Sequence, residues 1–130
     1  MKPINKLLLT GCIAITLSDA LGSIISKQFN FNYTYLFLLS FSIYTIWGFY
    51  GTRIINLKNG VLVAVFTGLF DSTIGWKISM LLHANTGNIK NAPTTQVWLV
   101  TIVFVTGLAA LCGLFGGVIA NATKKKPVNS

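Results

Sequence analysis

Apolar residues run through this chain in four long blocks separated by short polar breaks. The blocks cover roughly residues 7–26, 33–52, 59–82 and 97–120. Each matches the roughly 20 residues that an α-helix needs to cross a hydrocarbon core. Each is also too long for a buried strand, which seldom exceeds about ten residues. The third break holds Asn85, Gly87, Asn88, Asn91 and Pro93, all turn formers. The pattern predicts an all-α chain: one polytopic membrane domain over residues 1–130, built as a four-transmembrane-helix bundle and closed by a tail over 121–130.

Composition sharpens this picture. Hydrophobic residues make up 53% of the chain and charged residues only 9%, against about a quarter charged in a soluble domain. So few charges cannot cover a globular surface, and the expected partner is the lipid bilayer. The net charge of +8 would suit a nucleic-acid partner if it formed a basic stripe interleaved with exposed aromatics. It does not: apart from Lys77, the basic residues fall between or outside the apolar blocks, so no nucleic acid is expected.

The same residues orient the chain. Lys2, Lys6, Arg53, Lys58, Lys124, Lys125 and Lys126 fall on one side of a four-span topology, and only Lys27 and Lys90 on the other. The positive-inside rule therefore predicts a multi-pass cell-membrane protein with both termini in the cytoplasm. Leu9-Thr10-Gly11-Cys12 looks like a lipoprotein cleavage box, but the apolar run before Cys12 is short and continues to Ile25. The first block is thus read as a retained span. Cys12 and Cys112 lie inside apolar blocks without Cys/His spacing, so neither a metal nor a cofactor is expected.

Small residues recur at spacing four: Ala14, Ser18, Gly22 and Ser26; Gly60, Ala64, Gly68 and Ser72; Ala109, Gly113 and Gly117. Spacing four places each set on one ridge, where backbones approach closely in lipid. Gly22, Gly68, Gly75, Gly113 and Gly117 are the expected packing glycines. A ridge on the fourth span is also a candidate contact for a homo-oligomer. Spans one and three each carry one Asp followed by a glycine about one turn on, Asp19 with Gly22 and Asp71 with Gly75. Gly48-Phe49-Tyr50-Gly51 resembles Gly113-Leu114-Phe115-Gly116. Either a parallel helical hairpin is used twice, or common membrane residues recur by chance.

Candidate chemistry is confined to the ionisable residues inside the spans. Asp19 and Asp71 are the chain's only acids, and both fall within apolar blocks. An Asp at mid-bilayer costs about 2.5–3.5 kcal/mol on insertion scales. Each is the thirteenth residue of its block, so both are expected at one depth, roughly 18 Å along the helix, pointing into the bundle. Ser40, Ser42, Tyr44 and Thr45 are candidate partners on span two. Lys77 is six residues beyond Asp71, on a different face, and completes the candidate intramembrane polar site by reaching Asp19 or by snorkelling outward.

Two functional readings remain open. In one, the protein is structural or accessory and the acids join helices. In the other, it is a small oligomeric transporter or channel in which the Asp pair carries protons or cations. One His and two buried acids without convergent nucleophiles do not make an enzyme. In length, helix count and an acid in span one, the chain is similar to small multidrug exporters. It lacks their motif, and its charge bias argues against dual topology, so no family is assigned.

Overall fold

A computed structural model describes residues 1–87 and 93–124. Among them the chain is helical, with no strand. Helix α1 covers Pro3–Gln28. A 3-10 turn over Tyr33–Leu36 leads into α2, Phe37–Ile54. Helix α3, Leu57–Leu81, is interrupted by a π-helical turn at Asp71–Gly75. Helix α4 covers Thr95–Thr123.

The elements overrun the apolar blocks by a few residues at most ends, because polar residues continue a helix where it meets water. Proline at the first turn starts α1, where its missing N–H is not needed. Asn56 caps α3 by accepting from the Asn59 N–H at 2.9 Å, and Thr94 caps α4 by accepting from Val97 at 3.3 Å. At the far end of α3, His83 turns into the left-handed region at φ 54°. The Ala84 N–H then reaches the Ser79 carbonyl, and His83 that of Met80. This is a Schellman closure, here on a residue other than glycine.

Helices α1, α3 and α4 are long and apolar enough to cross a membrane. The sequence reading put α2 in the same class, but the structure gives a helix of 18 residues. Its tyrosines, Trp47, four hydroxyl side chains and Arg53 dilute its apolar character.

The bundle is inverted relative to a water-soluble core. Its buried side chains are largely small or hydroxylic: Ser23, Ser26, Thr52, Thr67, Ser72, Ser79, Ala64, Ala109 and Ala120. The large apolar side chains face out along every helix, among them Leu17, Leu21, Leu38, Val103, Phe104 and Phe115. Such a surface matches lipid, and the close-packed glycines inside match the way membrane helices associate.

Helices α2, α3 and α4 pack tightly on one another, and α1 lies against α2 and α3. Gly48 of α2 meets Gly113 of α4 backbone to backbone, and Gly51 of α2 meets Gly60 of α3. Gly113 also abuts Ala64, Gly117 packs on Thr52 and Leu57, and Gly68 packs on Ala109. The α4 ridge is therefore used within the chain, and its glycines are not free to form a homo-oligomer contact. The hairpins also pack unequally. Close α2–α3 packing has no counterpart between α1 and α4, so no single twofold axis relates the two halves. The tail residues Lys125 and Lys126, and Asn88, Lys90 and Asn91 of the third break, lie outside the described residues.

Candidate functional site

Asp19 and Asp71 meet in the interior, where α1 crosses α3. The two carboxyl groups lie within hydrogen-bonding reach of each other. Asp19 is only 4% exposed. Its Oδ1 accepts a hydrogen bond from the Tyr33 hydroxyl at 2.6 Å. Tyr33 in turn accepts one from Ser79 Oγ at 2.7 Å. On the other side, the Tyr44 hydroxyl donates to Asp71 Oδ2, with Ser40 facing the same carboxyl. Each acid thus takes one tyrosine, Asp19 from the 3-10 turn through Tyr33 and Asp71 from the middle of α2 through Tyr44.

One atom has no donor. Asp19 Oδ2 is buried and unpartnered, and it points at the gap that it shares with Asp71 Oδ1 beside Gly75. A Cβ at position 75 would collide with Asp19 Oδ2 and come within 2.9 Å of Asp71 Oδ1. Glycine at 75 is therefore what lets the two carboxyls close on each other. Gly22 does the equivalent work on α1: a Cβ there would strike Leu36 and crowd Tyr33 at 3.3 Å, moving the turn that delivers the Tyr33 hydroxyl.

The π-turn begins at Asp71 and ends at Gly75. Such turns accommodate one more residue than an α-turn and cluster at functional sites. The corresponding spacing on α1, Asp19 to Gly22, is one residue shorter. The irregular backbone is supported from α4, where the Trp98 indole N–H donates to the Ser72 carbonyl at 3.0 Å. Trp98 also packs edge-on against Trp76, with centroids 6.3 Å apart. Directly beyond the pair, the loops interlock: the Tyr33 N–H bonds to the Asn85 carbonyl at 2.7 Å, and the Asn85 N–H to Ser26 Oγ at 3.2 Å.

The sequence reading grouped Lys77 with the two acids, and the structure places it apart. Its ammonium lies over the Trp98 ring, 5.2 Å from the centroid, on the outer side of α3. The six-residue offset from Asp71, extended by the π-turn, carries it away from α1. Of the expected span-two partners, Tyr44 and Ser40 reach the site, whereas Ser42 and Thr45 bond back to Leu38 and Phe41 in their own helix. Tyr33 and Ser79 were not anticipated. Tyr33 lies at the edge of an apolar block where a tyrosine reads as an interface anchor, and Ser79 as one more small helical residue.

Two surface grooves lie elsewhere. One runs between α3 and α4 past Lys77 and Trp98, the other between α1 and the start of α2 past Leu21 and Leu36. Neither is lined by the carboxyls. Among the described residues no group of three or more His, Cys, Asp or Glu could hold a metal ion.

No protein-family profile matches the sequence, no curated protein is significantly similar to it, and no solved structure matches the fold.

Proposed function

We propose that the protein is a non-enzymatic, four-span integral membrane protein of structural or accessory type, with both termini in the cytoplasm, in which Asp19 and Asp71 lock α1 to α3 by sharing one proton. The observation that carries this reading is the face-to-face approach of two carboxyls, one of them with a buried oxygen lacking any other donor. Two carboxylates in such contact repel strongly in a medium of low dielectric constant. A single proton between them converts the contact into a charge-assisted hydrogen bond, leaving one net charge shared among four oxygens and two tyrosine hydroxyls. The fourth span in this topology is α2, shielded by α3 and α4 on one side and lengthened by the 3-10 turn. The even number of spans and the Lys/Arg bias together support cytoplasmic termini.

A second reading is favoured by one further observation. Ser79, Tyr33, Asp19, Asp71 and Tyr44 form a continuous row of proton-bearing groups, with a π-turn at its centre. Such a row suits proton translocation. The two readings separate in reconstituted vesicles. In a lock, Asp19→Asn and Asp71→Asn both insert normally and lose little beyond stability, because an amide can replace the shared proton as donor, and the parent itself carries no proton flux. In a translocator, either change abolishes proton flux while insertion is unaffected.

A further inference from the structure

Lys77 is the one basic residue inside an apolar block, and among the described residues no acidic side chain pairs with it. The sequence holds two acidic side chains, and the contacts described above commit both to each other and to tyrosines. The ammonium has instead a held aromatic platform. Trp98 is fixed by its hydrogen bond to Ser72 and by Trp76, and Lys77 lies over its face. A cation–π contact orients the ammonium but leaves its charge uncompensated.

The same residues border a groove of about 340 Å³ between α3 and α4, lined by Ile74, Leu99, Ile102, Thr73 and Thr95 besides Lys77 and Trp98. Its floor is aliphatic and aromatic. Thr95 begins α4 and Lys77 is four residues from the end of α3, so both lie at one mouth of the groove, while the deeper Thr73 hydroxyl bonds back to the Leu69 carbonyl in its own helix. From a point roughly 6 Å below the helix end, a lysine stem snorkels to the headgroup level. One cation at the mouth of an apolar groove, in a chain without a free acid, calls for an amphiphile with an anionic head.

We propose that this groove is a binding site for one anionic phospholipid, whose phosphate pairs with Lys77 and whose acyl chain lies along Ile74, Leu99 and Ile102. The site rests on the membrane-spanning reading, and by the Lys/Arg bias it faces the leaflet opposite the termini. Juxtamembrane lysines attract anionic headgroups, and here the aromatic platform and the groove restrict that attraction to one place.

Native mass spectrometry of the protein released from nanodiscs of equimolar phosphatidylglycerol and phosphatidylcholine tests it. Recovery of the protein in washed membranes and its incorporation into the discs check the membrane reading separately. The expected result is one retained phosphatidylglycerol per chain in preference to phosphatidylcholine, a preference that falls about fivefold in Lys77→Gln and is unchanged in Lys58→Gln at the opposite end of α3. Equal retention of the two lipids by the parent overturns the site even if Lys77→Gln fails to fold. So does a preference that survives Lys77→Gln, or one shown only for added oleate.

Discussion

At the scale of single residues, the buried carboxyl pair decides most of what can be tested. Asn at position 19 can still accept from Tyr33 and can donate its amide to Asp71. Asp19→Asn is therefore expected to unfold in detergent within about 1 kcal/mol of the parent. Asp19→Leu removes the acceptor and leaves the half-buried Tyr33 and Asp71 without it, at about 1–3 kcal/mol. Equal losses for the two variants in equilibrium unfolding would argue that the side chain acts through volume alone. Gly75→Ala is expected to force the Asp19 carboxyl away from Asp71, costing about 1–3 kcal/mol by overpacking. If the clash is with this carboxyl, Gly75→Ala costs little more when it is added to Asp19→Ala, so that the two losses do not sum. Tyr33→Phe removes one interhelical donor, and a loss between about 0.6 and 1.7 kcal/mol is expected.

Among elements, the crossing of α2 and α4 is set by glycine. A Cβ at Gly48 would meet the Gly113 backbone, which cannot move aside as a side chain can. Gly48→Ala and Gly113→Leu are both expected to lower the melting temperature in detergent, whereas Gly107→Ala, which faces open space, leaves it unchanged or raises it through helix propensity. If all three melt alike, α2 and α4 do not touch where the structure places them. Gly113 stands on a line of small residues at spacing four that was legible in the sequence, whereas Gly48 was not legible as a packing glycine, because Tyr44 interrupts the Ser40, Gly48 and Thr52 line on span two. That Asp19 and Asp71 come together agrees with their shared offset within apolar blocks. The π-turn was not legible, since α and π turns draw on the same residues. Its trace was the extra residue between Asp71 and Gly75 compared with Asp19 and Gly22. The outward placement of Lys77 over Trp98 is the second of the two alternatives that its six-residue offset from Asp71 left open. Tyr33 was hidden because its partner lies 14 positions back, across a loop whose path depends on Asn85 and Ser26.

For the whole molecule, an apolar exterior around a small, polar interior is consistent with lipid surroundings, and the proposed direction rests on the Lys/Arg bias. Reporter fusions after Ser130 and between residues 83 and 96 are expected to report opposite sides of the membrane, the C-terminal one cytoplasmic. The same side from both would remove one span, and α2, the least apolar of the four, would be the one to lose.

Whether Asp19 and Asp71 share one proton, as proposed, can be observed directly, because the chain has no other acidic side chain. Infrared spectra at neutral pH of the protein in a detergent without ester or acid carbonyls would count protonated carboxyls through their C=O stretch. The account predicts one such band per chain, shifted in D2O and absent from the Asp19→Asn, Asp71→Asn double variant. No protonated-carboxyl band, or a band of two per chain, would contradict it.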